Sequence, residues 1–452
     1  MLFRRKIYDV LLDWKSRTAG RKALLIEGAR RVGKSTVAEE FARNEYDSYI
    51  LIDFAKASDA VRNAFTRYVS DLDTLFMILR AEYGTDLYPG SSLIILDEVQ
   101  LFPLARQAVK HLVADGRYHY LETGSLISIH DMADQILLPS EERKVSMHPM
   151  DFEEFCWAMD EGPMAQYIRS CFDKRVPLEE DLHHKAMLLF RQYMLVGGMP
   201  RCVVAYLEGG RDFVAADEEK RDVLALYRDD IGKAKGISRN RTKAIFDQIP
   251  AFLSKHEKRV RFSSVGSDSS YPDYDAEFTW LGDSMTVNLC FNATDPNVGL
   301  TINEDRTFVK CYMGDTGLLV SHAFTPEEIE EGKLYRQMLN GALSVNEGML
   351  FENAIAQCLV ARGYPLFFFT RYNRAKHRND IEIDFVISNK SKINPKIFPI
   401  EAKSGKSYST ASLDRFGELY RRRVGEEYVI HTKNLVAEER RLKLPAYMTF
   451  CL

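Results

Sequence analysis

Long apolar runs, paired cysteines and low-complexity segments are missing from these 452 residues, and each absence excludes a class of protein. No stretch of about 18 apolar residues occurs, so we expect no membrane-spanning helix. The seven cysteines include no Cys-x-x-Cys pair, which argues against a zinc ribbon or disulfide scaffold and favours a reducing, cytoplasmic compartment. The basic N-terminus Met1–Lys6 precedes no apolar run, so we expect no signal peptide.

Prolines are few, at 15, and 46% of the residues are hydrophobic against 28% charged, as in ordinary globular domains. Charge is uneven: the chain carries −4 overall, but Glu352–Leu452 contains 18 Lys and Arg against 11 Asp and Glu. A basic end on an acidic body favours a polyanionic partner, such as DNA, for that end. An unevenly charged, solvated surface explains the same numbers, so charge alone does not decide.

The first part of the chain alternates short apolar runs with helical patterns. Strands are predicted at 23–26, 49–52, 93–96 and 118–121, and helices at 1–20, 35–43, 75–81 and 104–113. Strands that alternate with helices predict an α/β fold with a parallel sheet, whose ligands bind at the carboxyl ends of the strands.

Changes in this pattern divide the chain into four predicted parts. They are a core (1–155), a helical lid (156–240), a middle module (241–325) and a second α/β domain (326–452). The clearest lid helix, 182–195, ends before Gly197-Gly198-Met199-Pro200, and residues 325–347 are charged and predicted to be a linker. The last domain is predicted to contain helices at 349–362 and 411–422 and strands at 366–370, 381–387 and 397–402.

A phosphate-binding loop follows the first predicted strand. Residues Gly28-Ala29-Arg30-Arg31-Val32-Gly33-Lys34-Ser35 match G-x-x-x-x-G-K-[ST] in full, between a strand and a helix. Backbone N–H groups and the helix N-terminus then attract phosphate oxygens. We expect Lys34 to reach the β- and γ-phosphates and the Ser35 hydroxyl to ligate Mg²⁺. The predicted nucleotide-binding residues of this segment are Gly28, Arg31, Gly33, Lys34, Ser35 and Thr36.

Two carboxylates end the third predicted strand. Asp97 is expected to hold Mg²⁺, and Glu98 to act as the general base that polarises the attacking water. Ser125, in Thr123-Gly124-Ser125 after the fourth strand, is predicted to sense the γ-phosphate, with a plain turn as the alternative. A transition-state arginine is also expected. The candidates are Arg143 first, then Arg201 and Arg228, each of which is otherwise a plain surface arginine.

The order of these motifs resembles the AAA-type ATPases of bacteria and archaea that carry a C-terminal domain of unknown function. His148–Phe155 is similar to the family's Pro-Leu-Ser-Phe-x-Glu-Phe, Gly197–Pro200 to its Gly-Gly-x-Pro, and Lys310–Leu319 to its Lys-x-Tyr-x-x-Asp-x-Gly-Leu. The resemblance implies ATP as the nucleotide and a homo-oligomer in which a neighbour supplies the arginine. It also implies a winged helix before Asp315. Residues 242–312 match that module poorly, so a plain packing module remains the alternative.

The C-terminal part resembles the PD-(D/E)XK nuclease pattern. Glu352 lies on a predicted helix and Asp384 on a strand, and Glu401 and Lys403 lie on one face of the next strand. Asp384 and Glu401 are predicted to bind Mg²⁺, Glu352 to complete the metal shell, and Lys403 to orient or activate the attacking water. The basic residues expected near a phosphate backbone are Arg371, Arg374, Lys376, Arg378, Arg421, Arg422 and Arg423.

These observations predict an ATPase fused to a Mg²⁺-dependent, nuclease-like domain that acts on DNA. The alternative is a nucleotide-dependent switch whose C-terminal domain binds nucleic acid or protein without cleaving it. A small-molecule kinase also begins with a phosphate-binding loop, but Asp97-Glu98 and the large appended domains disfavour it.

Overall fold

The computed structural model describes residues 2–125, 140–255, 258–260, 273–330, 333–339, 347–373, 378–389, 395–405 and 407–452. They form two compact units, one of residues 2–148 and the other mainly of residues 149–282 and 286–452. Within these described ranges, every helix is too short or too polar to cross a membrane. All seven cysteines are buried free thiols.

The first unit is an α/β domain built on a parallel sheet, as predicted, but the sheet has five strands and the sequence predicted four of them. Its strands are β1 (Ala23–Glu27), β2 (Ser48–Asp53), β3 (Ser92–Asp97), β4 (His119–Gly124) and β5 (Glu142–Ser146), in the order β2-β3-β4-β1-β5. Its helices are α1 (Ile7–Arg17), α2 (Lys34–Glu45), α3 (Asp59–Arg67), α4 (Leu72–Tyr83) and α5 (Pro103–Asp115). β3 is buried along its whole length, as expected for a central strand of a parallel sheet with helices on its faces.

The second unit begins with helices, which cover the predicted lid (156–240) and extend into the predicted middle module. They are α6 (Phe152–Ala158), α7 (Gly162–Lys174), α8 (Glu180–Val196), α9 (Pro200–Glu208), α10 (Phe213–Lys233), α11 (Arg239–Leu253) and α12 (Asp275–Asp283). Part of the 242–312 segment that was compared with a winged helix, residues 256–257 and 261–272, lies outside the described residues.

Two sheets and further helices complete the second unit. The strands are β6 (Val287–Ala293), β7 (Glu304–Met313), β8 (Leu366–Asn373), β9 (Arg378–Ile383), β10 (Phe385–Ser388), β11 (Ile397–Lys403), β12 (Glu427–His431), β13 (Val436–Ala437) and β14 (Arg441–Pro445). The helices are α13 (Thr316–Ala323), α14 (Pro326–Glu330), α15 (Lys333–Leu339), α16 (Glu347–Ala361) and α17 (Ala411–Leu419). The sheets have the orders β7-β6-β8-β9 and β10-β11-β12-β14-β13.

Two predictions for this unit need correction. The expected linker at 325–347 contains α14 and α15, and within α15 Tyr335 is buried because its ring stacks on Phe213 with centroids 4.7 Å apart. The single strand expected at 381–387 is two strands, β9 and β10, because the chain passes at Asp384 from one sheet into the other.

The glycines of Gly197-Gly198-Met199-Pro200 permit a close backbone contact. Gly197 has φ of 83°, and a Cβ at Gly198 would overlap the backbone of Met150. The Asp315 carboxylate accepts hydrogen bonds from Gly198 N at 2.6 Å and Leu318 N at 2.9 Å. The motifs at 197–200 and 310–319 therefore contact each other through a buried hydrogen bond, although the chain separates them by more than a hundred residues.

Replacement of Gly198 by alanine is expected to lower the free energy of unfolding by about 1–3 kcal/mol, because the new methyl group forces the Met150 backbone to move. Urea unfolding followed by circular dichroism measures the change. Gly232→Ala is the matched control, since nothing lies within 4 Å of that position, near the end of α10. It should be neutral or stabilising. An equal loss in both variants would argue against the close contact at Gly198.

Candidate functional site

The phosphate-binding loop joins β1 to α2, where the sequence predicts it. Gly33 precedes α2 with φ of 98°, a left-handed conformation that favours glycine. A Cβ at Gly28 would overlap the carbonyl oxygen of Met147. Arg31 also has a positive φ, 69°, and the side chains of Arg31 and Thr36 are exposed. The backbone therefore depends on glycine at both motif positions.

Lys34 is the buried cation of this loop. Its ammonium donates hydrogen bonds to the carbonyl oxygens of Gly28 and Ala29, both at 3.0 Å. Burial lowers the pKa of Lys34 to about 8, against the opposing attraction of Glu98 and Asp97. The ammonium is thus held at the loop by weak neutral partners, which a phosphate oxygen would replace with a charged one.

Ser35 and Asp97 meet at the carboxyl end of the sheet. The Ser35 hydroxyl donates to Asp97 Oδ1 at 2.6 Å, and the buried Thr123 hydroxyl donates to the same oxygen. Mg²⁺ prefers oxygen ligands, and here a hydroxyl and a carboxylate from separate elements converge. The residues present therefore fit a magnesium ion held by Ser35 and Asp97.

Glu98 lies directly after β3, in a left-handed conformation with φ of 53°. Its backbone N–H donates to Thr123 Oγ1 at 3.3 Å, and its carboxylate accepts a hydrogen bond from the Gln100 side chain. The turn and both contacts fix Glu98 beside Asp97. Sequence reasoning found Glu98 but gave no role to Gln100, although Gln100 ends the Leu-Asp-Glu-Val-Gln segment at the end of β3.

Ser125 and Arg143 lie in different parts of this sheet. Ser125 is buried directly after β4, which pairs with both β1 and β3 and so lies between the loop and Asp97. Arg143 is on β5 opposite Leu24, toward the amino end of β1, and its guanidinium lies 3.7 Å from Asp13. Arg201 and Arg228 belong to the second unit, where they pair with Glu219 at 2.6 Å and Asp247 at 3.0 Å.

Arg5 is a contact of the loop that sequence reasoning missed, because it belongs only to a short basic N-terminus. Its buried guanidinium donates to Val32 O at 2.8 Å and to His148 O at 2.6 Å. The Val32–Gly33 peptide is trans, so its N–H points opposite to its carbonyl. By holding the Val32 carbonyl, Arg5 turns the Gly33 N–H away from itself and fixes one donor of the loop.

Replacement of Arg5 by glutamine is expected to weaken ADP and ATP binding about tenfold, since an unfixed loop must be ordered when phosphate binds. Titration of fluorescent ADP measures the change. Arg4→Gln is the matched control, because it removes the same charge from the adjacent, exposed position. Equal affinities of the two variants would argue against the role of Arg5.

A buried arginine supports the strands that carry these residues. Arg106 of α5 makes a double hydrogen bond to the Glu142 carboxylate, at 3.0 and 3.1 Å, and lies 3.9 Å from Glu122. Burial, together with the neighbouring Glu142, raises the pKa of Glu122 well above its usual range. Glu122 directly precedes Thr123, so Arg106 links β5 to the strand that contacts Asp97 and Glu98.

The C-terminal site brings three of its four predicted residues together. Asp384 Oδ2 accepts a hydrogen bond from Ala402 N at 2.9 Å, and the pairing of Phe385 with Ile400 sets Asp384 beside Glu401. Lys403 Nζ lies 3.2 Å from Glu401 Oε2. Burial raises the pKa of Glu401 to about 7, with Asp384 adding to the rise and Lys403 opposing it.

The carboxylate of Glu352, the fourth predicted residue, is instead paired with lysine ammonium groups. Lys310 Nζ lies 3.2 Å from its Oε1, Lys258 pairs with its Oε2, and the Tyr312 hydroxyl donates to Oε1. Burial by itself raises the pKa of Glu352, but Lys258 and Lys310 overcome this and lower it to about 2. Lys310 Nζ is also 3.7 Å from Asp384 Oδ1, so it lies between the two carboxylates.

This geometry differs from the predicted metal shell. Three carboxylates face three ammonium groups, which leaves the cluster no uncompensated negative charge for a divalent ion. Across the described residues, no three His, Cys, Asp or Glu side chains are grouped as metal ligands would be. The residues present therefore do not fit Mg²⁺ held jointly by Glu352, Asp384 and Glu401.

The basic residues predicted near this site differ in exposure and in their partners. Arg371, Arg421 and Arg422 are exposed, and Arg423 forms an ion pair with Asp295. Arg374 and Lys376 lie outside the described residues, and so does the side chain of Arg378.

Three family models match successive parts of the chain. Residues 20–156 match the family described as "AAA domain", and residues 187–328 and 347–447 match the "Domain of unknown function" families DUF8612 and DUF4143. No curated protein matches the chain. The match over 20–156, together with the parallel sheet and its loop after β1, makes the first unit similar to AAA-type P-loop ATPase domains.

Solved structures give remote likenesses. The Walker-type ATPase PABY2304 of Pyrococcus abyssi is 14% identical over 72% of this chain and 96% of its own, with a TM-score of 0.42. The STAND (Signal Transduction ATPase with Numerous Domains) protein with a tetratricopeptide repeat sensor, PH0952 from Pyrococcus horikoshii, is 12% identical over 80% and 48%, with a TM-score of 0.28. C. elegans PCH-2 is 11% identical over 62% and 64%, with a TM-score of 0.21.

Proposed function

We propose that this protein is a cytoplasmic ATPase that binds ATP with Mg²⁺ in its first unit and uses hydrolysis as a switch. The observation that carries the proposal is the convergence of Lys34, Ser35 and Asp97 at the loop between β1 and α2. Seven free, buried thiols support the reducing compartment.

Each residue of the site has a role in this reaction. The loop N–H groups and the N-terminus of α2 bind the phosphates, and Lys34 exchanges its carbonyl partners for phosphate oxygens. Ser35 and Asp97 hold Mg²⁺, which when bound neutralises charge on the phosphate oxygens. Glu98 accepts a proton from the attacking water and is kept in position by Thr123 and Gln100.

Release of phosphate from ATP tests this proposal, with Lys34→Ala against the parent. Loss of hydrolysis in Lys34→Ala is expected, because the substitution removes the buried ammonium that the loop holds where the phosphates would bind. Lys56→Ala is the matched control, since that side chain is 86% exposed in the same unit. Hydrolysis at the parent rate by Lys34→Ala would overturn the proposal.

We also propose that a neighbouring copy supplies the transition-state arginine, with Arg143 as the residue. Its support is the position of Arg143 toward the amino end of β1, whereas the phosphate-binding loop follows the carboxyl end. A mixture of Arg143→Ala and Lys34→Ala proteins, each inactive alone, should then recover activity. A mixture as inactive as its components would reject this role.

For the C-terminal domain we propose a nuclease-like module that acts on DNA. The adjacency of Asp384, Glu401 and Lys403 supports cleavage, whereas the pairing of Glu352 with two lysines favours the alternative, binding without cleavage. Incubation of single- and double-stranded DNA with Mg²⁺ or Mn²⁺, with and without ATP, separates the two. Cleavage by the parent that is lost in Asp384→Ala and Lys403→Ala would establish the nuclease, and intact DNA that is still bound would leave the binding module.

A further inference from the structure

Lys310 is enclosed at the centre of the C-terminal cluster. Lys310 lies on β7 and is 1% exposed, and its Nζ lies 3.2 Å from Glu352 Oε1, 3.7 Å from Asp384 Oδ1 and 5.2 Å from the centre of the Phe368 ring. We propose that Lys310 is the resident cation of this site. Its ammonium takes the place that a divalent ion would have between Glu352 and Asp384, so the domain acts without a metal there. This inference rests on the proposal that the domain is nuclease-like, and it names the cation of that site.

The balance of charge supports a fixed ammonium rather than an exchangeable ion. Glu352 is paired with Lys258 as well as Lys310, and Glu401 is paired with Lys403. A divalent ion added to this neutral set would leave two positive charges without partners inside the protein. Burying unpaired charge is strongly unfavourable, so the ion would bind only if a lysine left.

Lys310 has no easy route out of the cluster. The backbone of β7 pairs with β6, with Lys310 opposite Cys290, so the position of its Cα is set by the sheet. The ammonium also lies against the face of Phe368, a favourable contact for a cation. Movement of the side chain away from Glu352 would leave that buried carboxylate with Lys258 as its remaining cation. The lysine is therefore part of the folded site, not a side chain that a metal ion would displace.

The same geometry identifies Tyr312 as a positioning residue. Its buried hydroxyl donates to the Glu352 oxygen that also faces Lys310. Lys310 and Tyr312 are two positions apart on β7, so both side chains point to the same side of the sheet. The Lys-x-Tyr part of the motif at 310–312 thus supplies the cation and one hydrogen bond to its carboxylate.

Titration with Mn²⁺, followed by electron paramagnetic resonance, tests the proposal. All proteins are full-length, free of nucleotide and carry Ser35→Ala and Asp97→Asn, which remove the predicted metal site of the first unit. The background protein should then bind Mn²⁺ no better than the same protein with Asp384→Asn. Binding that Asp384→Asn or Glu401→Gln weakens about tenfold, equivalent to about 1.4 kcal/mol, would overturn the proposal.

Lys310→Ser, in the same background, tests the opposite expectation, a gain of Mn²⁺ binding. Removal of the ammonium leaves the carboxylates with one cation fewer and opens space between them, so this variant should gain Mn²⁺ binding that Asp384→Asn then abolishes. A folded Lys310→Ser protein that gains no Mn²⁺ site would contradict the proposal. Circular dichroism reports whether the variant folds, and if it does not, the comparison of the background protein with Asp384→Asn decides alone.

The nuclease-like assignment is tested separately. Fluorescence anisotropy of labelled DNA in excess EDTA measures binding without metal. A parent that binds no DNA under any condition would reject the DNA-directed function and leave the Mn²⁺ result intact. A parent that binds DNA equally well with and without EDTA, and does not cleave it, would agree with both.

Discussion

Replacement of Glu98 by glutamine is expected to lower the rate of ATP hydrolysis about 100-fold or more, because the amide cannot accept the proton of the attacking water. ATP should bind with nearly the parent affinity, since the loop, Lys34, Ser35 and Asp97 remain. The left-handed turn at Glu98 and the Thr123 contact hold the side-chain position, so the substitution changes the chemistry more than the shape. Steady-state phosphate release and titration of fluorescent ATP measure the two quantities.

Glu82→Gln is the matched control for Glu98→Gln, because Glu82 is an exposed glutamate on α4 of the same unit. It should hydrolyse ATP at the parent rate. A Glu98→Gln rate within about threefold of the parent would mean that another group activates the water. A parallel loss of ATP affinity would instead mean that Glu98 shapes the binding site.

Replacement of Arg106 by leucine is expected to lower the free energy of unfolding of the first unit by about 3–5 kcal/mol. The change removes both hydrogen bonds to Glu142 and leaves that carboxylate buried without its cation. Glu122 would lose the same neighbour at 3.9 Å. Urea unfolding, followed by circular dichroism, measures the loss.

The double variant Arg106→Leu/Glu142→Leu distinguishes a broken ion pair from lost packing. Apolar replacement of a whole buried pair is often close to neutral, so the double variant should recover most of the stability. A double variant as unstable as Arg106→Leu alone would assign the loss to packing around α5.

The P-loop and the Asp97-Glu98 strand end could be predicted from the sequence because their chemistry is local. The loop motif is contiguous, and the strand beside it is uniformly apolar, so its carboxyl end can be located without knowledge of the fold. β5 was missed for the opposite reason. Its sequence from Glu142 to Ser146 has a single apolar residue, Val145, because among the described residues it is an edge strand whose partner is β1.

The cation at the C-terminal site could not be predicted in the same way. Lys310 and Glu352 are 42 positions apart and come from different elements, so no local pattern connects them. The sequence predicts that Glu352 lies on a helix, but it does not predict which residues pair with its carboxylate. Buried lysines are rare, so a buried lysine beside Glu352 is not expected from sequence. The fold contains the predicted helix, strand and Glu-x-Lys segment in that order. The pairing of their carboxylates with lysines could not be predicted from the sequence.

The parallel pairing of β6 with β8 has a consequence for how this chain is inherited. Cys290, Phe291 and Asn292 pair with Leu366, Phe367 and Phe368, so one sheet takes strands from the 187–328 and the 347–447 family regions. A recombination event between these regions would leave β8 with an open edge of unpaired backbone groups beside an apolar face, which favours aggregation. We therefore expect the two regions to be inherited together, with compensating substitutions between residues that pair across β6 and β8.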